Sequence, residues 1–491
     1  MTTSVLPPAQ AVPPAPPPAT APQARPPGRR RAPRRRLRLQ TVPGRIRAWT
    51  AAGVVAVLAL FGVTAMAIGD ARDGLRIIGH DAGPQVVATA DLYYALSDMD
   101  TQIANILLVG EERLGGGREA SMARYEQRRA EAARAVLQAA DLAREDAIER
   151  QTVRALLNGL GRYEQLAAQA LLLNDQADHA AGPPPQEVIE LYRQATDLMR
   201  YDLLPKAYNL TLDSGSIVRR TYEEQRAAVL NGGVAVGVVG VVALVVLVGL
   251  QIYLARRFRR ILNPALLAAT VVVTLLVGLA AGLLQREAEN LRTAKEDGFN
   301  SVLALSRARA IGNSLHGDQS RFLLDPERAD TYGQVYLDKS QSVLYTPAGN
   351  LDKYYAGLRG ILGEYPGKIT FLGFLGDEAR SAGVGDRRAL LTTTLERYES
   401  FQQYDRQLRA LSASRQTGQA IRFQMGQLSR GFEEYDTALV GLTDMHRRTF
   451  DAAIADGDRA LTGWDYALPG AILLTVVLIF VGVRPRLLEY R

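Results

Sequence analysis

Residues 232–254 read GGVAVGVVGVVALVVLVGLQIYL, residues 255–263 read ARRFRRILN, and residues 264–284 read PALLAATVVVTLLVGLAAGLL. Neither apolar run holds a charged residue, and the piece between them holds Arg256, Arg257, Arg259 and Arg260. At a rise of about 1.5 Å per residue, helices of these lengths cross or nearly cross a hydrocarbon core of about 30 Å. The pattern reads as a membrane hairpin with a basic turn. Two more uncharged runs, Ala48–Gly69 and Tyr466–Val483, lie near the ends of the chain. One such run alone could be a buried core helix. Four of them, with basic residues at alternate ends, read as four transmembrane helices.

Charge fixes the expected orientation. Residues 1–47 carry ten arginines and no acid, and the tail 484–491 carries three arginines against one glutamate. If each run crosses once, all three basic pieces fall on one side, which the positive-inside rule makes the cytoplasm. The chain then sits in the cell membrane with both termini cytoplasmic. The net charge of the whole is only +7, so the long segments between the basic pieces are acidic. Ala65-Met66-Ala67 looks like a signal-peptidase site, and Arg34-Arg35-Arg36-Leu37 loosely like a twin-arginine signal. The leader and the run are both too long for an ordinary signal peptide, so the first run reads as an uncleaved anchor.

The expected plan has nine parts. A Pro- and Arg-rich disordered cytoplasmic tail (1–47) precedes the first transmembrane helix (48–69). A helical bundle (70–231) leads to the second (232–254), a basic loop (255–263) and the third (264–284). A second bundle (285–465) leads to the fourth (466–483) and a basic tail (484–491). The fold class is all-α, with two extracytoplasmic domains of four-helix-bundle type. In the first, Leu92, Leu96, Met99, Ile103 and Ile106 trace one face of an amphipathic helix. Gly115-Gly116-Gly117 and Pro183-Pro184-Pro185 punctuate helices at about 118–144, 147–175 and 186–230. In the second, helices are expected at about 286–323, from Asp325-Pro326 onward, and at about 387–410 and 416–462. Gly363–Gly385 reads as an ordered loop or short hairpin.

Composition excludes several chemistries. The chain has no cysteine, so disulfides and thiolate chemistry are out. His80, His179, His316 and His446 are too far apart in sequence for a local metal pair. Phosphate-loop, nucleophile-elbow, zinc-protease and dinucleotide motifs are all missing. No enzyme activity, cofactor or metal is expected. Basic charge confined to the ends of apolar runs points to lipid, not nucleic acid. The membrane runs carry no ionisable residue, which argues against a transport pathway within them. Gly233/Gly237 and Gly278/Gly282 form GxxxG pairs that suit close helix packing, and Arg256, Arg257, Arg259 and Arg260 are candidate cytoplasmic contacts.

Asp91, Asp98, Gln102 and Asn105 fall at helical spacing beside the first apolar face, with Asp100 and Tyr93 close by. This stripe reads either as a water-facing surface or as a surface for a ligand or partner. Asp318, Arg321 and Asp325 form a comparable group, read most simply as a local ion pair worth about 0–1 kcal/mol if exposed.

The stretches Asp91-Leu92-Tyr93-Tyr94-Ala95-Leu96-Ser97-Asp98-Met99-Asp100 and Gly317-Asp318-Gln319-Ser320-Arg321-Phe322-Leu323-Leu324-Asp325-Pro326 resemble matching stretches in a family of actinobacterial four-transmembrane proteins, the GlnX-like sensors. The resemblance runs through residues 45–491. It implies outer domains similar to those of chemotaxis receptors, a glutamine-binding lipoprotein outside, and serine/threonine protein kinase G inside. It also implies that the chain relays extracellular amino-acid status. Asp91, Tyr93, Asp98, Asp100, Arg321 and Asp325 are family-like positions on this basis. The short loop and tail leave no room for an output domain, so a signal would pass to a separate protein. The expected partners are the bilayer, a solute-binding lipoprotein, a serine/threonine kinase and a second copy of the chain. The competing readings are an envelope scaffold and an accessory subunit of a transporter.

Overall fold

The computed structural model describes residues 42–110, 117–142, 147–258 and 263–488, all but short connections of them helical. The expected tail over 1–41, Arg259 and Arg260 lie outside the described residues. Helix α1 spans Val42–Leu75 and passes through a π-helical stretch, Arg76–Ala82, into α2, Gly83–Val109. Helices α3 (Gly117–Leu142), α4 (Ala147–Ala177) and α5 (Gln186–Leu198) follow. A second π stretch, Met199–Leu203, joins α5 to α6, Leu204–Phe258.

The second half repeats the plan. Helix α7 (Pro264–Arg292) passes through a π stretch, Thr293–Phe299, into α8 (Asn300–Leu324). Helices α9 (Ala329–Val343), α10 (Leu351–Glu364), α11 (Phe374–Ser381) and α12 (Asp386–Ala413) come next. Then α13 (Thr417–Phe423), a π stretch (Gln424–Leu428), α14 (Ser429–Leu461) and α15 (Trp464–Leu488) close the chain. In each half a π stretch follows the entering membrane helix and another precedes the leaving one. The Gly-rich loop before α11 pairs briefly with the end of α9, through an antiparallel bridge between Tyr345 and Leu372.

Local chemistry sets the breaks. Asn263 caps α7 by accepting from the Ala265 and Leu266 amides, and Pro264 stands where no intrahelical donor is needed. The same Asn263 amide donates to the Gly482 carbonyl of α15 at 2.6 Å, which ties the basic turn to the last helix. Gly463, at φ +88°, lets the chain turn between α14 and α15.

Among the described residues four helices are long and apolar enough to cross a membrane. Over the apolar runs, α1 packs on α6, α6 on α7, α7 on α15 and α15 on α1, which closes a ring. Its inside holds Val57, Leu60, Val236, Leu247, Val273 and Ile479, all fully buried. Its outside shows Val55, Met66, Val241, Val245, Leu275 and Leu473, large apolar side chains that water would reject and lipid accepts. Of the four glycines expected at helix contacts, Gly233 lies at van der Waals distance from Leu284 of α7. Gly278 and Gly282 are exposed, and a side chain at either would meet nothing; Gly237 is also open. The close approaches are at Gly232, against Ala67, and at Gly240, against Val277.

Outside the ring, the two long segments meet along α2 and α8. One continuous core runs from Leu96, Ile103 and Tyr163 in the first segment to Leu315, Tyr398 and Leu439 in the second. Gly317 permits this contact, because a Cβ there would collide with the Thr101 hydroxyl of α2.

Candidate functional site: a polar cleft beside a buried charge network

Two polar features occupy the α2–α8 junction, on different sides of α2. The first is buried. Arg321 on α8 is 1% exposed and reaches across to Asp100 on α2, with Nη2 at 2.6 Å and Nε at 3.1 Å from Oδ2. Asp100 also accepts from Thr196 Oγ1 of α5 at 2.7 Å and from the Tyr163 hydroxyl of α4 at 3.2 Å. Arg321 Nη1 donates to Asp318 at 2.6 Å, and Asp318 accepts from Lys339 of α9 at 2.5 Å. Burial opposes charge on Asp318, but Lys339 and Arg321 hold its carboxyl below the usual range. Burial lowers Lys339 to about 8, against the pull of Asp318. Five helices from both segments thus share one network.

Two expectations fall here. The group Asp318, Arg321 and Asp325 does contain the local pair Arg321–Asp318, but all three residues are buried, and their further partners Asp100, Lys339 and Arg193 come from other helices. Asp325 accepts from Nη2 and Nε of Arg193 on α5, at 2.6 and 2.7 Å. The stripe on α2 is likewise not water-facing: Asp98, Gln102 and Asn105 are at most 6% exposed, because α8 and its neighbours cover them. Asp91 alone of that stripe is exposed.

The second feature is a cleft of about 420 Å³ between α2, α3, α8 and α14. Asp98 and Gln102 line one wall, joined to each other at 2.8 Å. Arg128 of α3 binds Asp98 at 2.7 Å and lies over the Tyr94 ring, which Arg309 of α8 also faces. Arg309 in turn holds Asp436 of α14 with two bonds, at 2.7 and 2.9 Å. Arg124 and Glu433, about half exposed, bridge α3 to α14 at 3.1 Å at the rim. Deeper in, His316 stacks on Phe432, and burial lowers its pKa below the ordinary value, so the ring stays neutral near pH 7. Beside it Asn313, 1% exposed, has no hydrogen-bond partner for either carboxamide atom. A free buried donor and acceptor facing a cleft is a poor arrangement for an empty fold and a good one for a polar ligand. A second hollow of about 560 Å³ continues past Arg128 to Asp91 and Glu131.

The structure therefore divides the candidate residues. Asp91, Asp98 and Gln102 belong to the cleft and its extension, and Asp100, Arg321 and Asp325 to the buried core. Tyr93 lies apart, edge-on to Tyr208 at 6.2 Å. Arg256 and Arg257 are exposed at the end of α6. Arg124, Arg128, Asn313, His316 and Asp436 were not singled out from sequence. The arginines of α3 stand in a run of charges that looks solvated, and Asn313 and His316 carry no local motif. No cluster of three metal-ligating side chains occurs among the described residues.

The ring of apolar helices and the helical body beyond it are those of a multi-pass membrane protein. Residues 74–223 match the model of the actinobacterial sensor domain, and this supports an actinobacterial sensor protein. The match covers the first outer segment, with Asp98, Asp100, Arg128 and Arg193, and ends before α8 and α14 supply the other walls. No curated protein and no solved structure matches the chain.

Proposed function

We propose that the chain senses conditions outside the cell and relays them through its membrane helices to a separate cytoplasmic protein, with both termini on the cytoplasmic side. The carrying observation is the continuity of α6. Its outer part packs Leu204, Ala207 and Leu210 into the outer core, and its inner part packs Val236, Ala243 and Leu250 into the membrane ring. At about 1.5 Å per residue, its 55 residues make a rod of roughly 80 Å. Helix α7 continues into α8 in the same way, through a π stretch. A ligand, or a ligand-loaded lipoprotein, that shifts α3 against α14 at the cleft would move these rods by an ångström or two, a displacement sufficient in known switches. Extracellular amino-acid status and a serine/threonine kinase are the signal and partner that the resemblance implies. A non-catalytic role agrees with the sensor-domain match.

The absence of native cysteine makes the test clean. Arg124→Cys with Glu433→Cys, joined by a bismaleimide, ties α3 to α14 across the cleft. The tied and untied proteins are purified from their own membranes, and the co-purifying proteins identified by mass spectrometry with and without added amino acids. A cytoplasmic kinase whose recovery follows amino-acid supply in the untied protein only is the expected result. Recovery indifferent to the tie and to nutrients would point to a scaffold, and recovery of a permease to an accessory subunit.

A further inference from the structure

We infer that the seam between α1 and α15, at the basic end of the membrane ring, is a binding site for one anionic phospholipid. A groove of about 470 Å³ runs there between Ala51, Val54 and Val55 of α1 and Phe480 and Val483 of α15, with Arg47 and Arg484 at its mouth. Its wall is almost wholly apolar. The hydroxyl of Thr50, the one polar group below the arginines, already donates to the Ile46 carbonyl at 2.8 Å. Val55 and Phe480 are more than half exposed, so the groove opens sideways to the lipid tails. Arg47 and Arg484 are both exposed, and neither has an ion pair with any described residue. Among the described residues no carboxylate lines the groove.

Each part of the occupant follows from this arrangement. An acyl chain fits the apolar wall. A phosphate fits between two guanidiniums, which present paired donors to phosphate oxygens. A zwitterionic headgroup would bring its own cation against the arginines, so the site prefers an anionic one. Free phosphate would satisfy the mouth and leave the groove unused. Near a membrane surface each basic side chain contributes about 1 kcal/mol of attraction. Two of them give a preference for anionic over zwitterionic lipid on the order of tenfold or more.

The full chain, reconstituted in vesicles of phosphatidylcholine with a minority of phosphatidylglycerol and released into mild detergent, is weighed with its retained lipid by native mass spectrometry. The wild type is expected to keep one phosphatidylglycerol, enriched on the order of tenfold over its share of the vesicle. Arg47→Gln with Arg484→Gln should bring retention down to that share. Ala51→Trp, at an exposed position, fills the groove and spares both arginines, and should lose the lipid as well. No enrichment in the wild type, or enrichment that survives the double arginine variant, would overturn the site. So would loss in the arginine variant with full retention in Ala51→Trp, which would mean headgroup attraction at the rim without a groove.

Discussion

Asp100 and Glu287 are both fully buried carboxylates, and the fold treats them in opposite ways. Asp100, at the outer α2–α8 junction, takes hydrogen bonds from three other helices, two of them from a guanidinium. Glu287 stands on α7 one turn beyond the last apolar residue of its run, where α1, α7 and α14 converge. No cation among the described residues pairs with it, and the Asn290 side chain one turn further on gives it only a weak hydrogen bond. Leu75 of α1 and Gly457 of α14 press against the place it occupies. Burial pushes its pKa up to about 7; Asn290 opposes the rise and Asp458, itself within 3.4 Å of His80, adds to it. A paired buried charge is a fastener, since breaking it strands its partners. An unpaired one is a joint whose packing depends on a proton. The outer junction is held by paired charges and the membrane-proximal one contains a carboxylate whose charge depends on pH, and the relay proposed above would draw on both.

The largest test breaks the lock. Arg321→Met leaves Asp100 buried without its guanidinium and Asp318 with Lys339 alone. Removing one partner of a buried pair costs roughly 3–5 kcal/mol. Thermal unfolding of the purified chain should show a loss of that size, with Asp100→Leu plus Arg321→Met losing less than the single change. A loss below about 1 kcal/mol would place this network with ordinary surface pairs and remove the contrast.

The second test concerns the joint. The unfolded chain releases the Glu287 proton near 4.5, and the folded chain holds it to about 7. Between those values the folded state binds more protons, so stability falls as pH rises through the window and is level above it. Glu287→Gln keeps the neutral shape at every pH. It should therefore stabilise the protein by about 3 kcal/mol above pH 7 and by almost nothing below about pH 4.5. Parallel pH profiles for wild type and variant would show that Glu287 is solvated in practice.

Much of this was legible in the sequence, for a physical reason. Lipid tolerates no stray charge, so the four runs announce themselves one residue at a time. The helical spacing of Asp91, Asp98, Gln102 and Asn105 reads as one stripe along α2. What it could not give was whether water or protein covers that side, because the covering residues on α8 and α14 lie over 200 positions away. The stretches holding Asp100 and Arg321 were both noticed, yet nothing local says that they meet. The GxxxG spacing stops short for a related reason: spacing marks which glycines share a face, and only packing decides whether a neighbour arrives there. Gly278 and Gly282 face outward, whereas Gly240, outside the marked pairs, takes the contact with Val277.

The smallest expected effect sharpens the comparison most, because it asks what the cleft is for. Asn313 is buried without partners, and it faces an open cleft where Glu287 faces apolar side chains. If its carboxamide serves folding, replacing it should cost stability. If it waits for a ligand, Asn313→Leu removes an unsatisfied polar group and should be neutral or stabilising by up to about 1 kcal/mol. The same variant should lose the amino-acid dependence of partner recovery. Glu287→Gln leaves the cleft intact, so it should keep that dependence and change only how it varies with pH. Stability and response moving in opposite directions at Asn313 would identify a site held open at the expense of the fold. Moving together, they would make Asn313 one more core residue and shift the search for the ligand to the hollow beside Asp91.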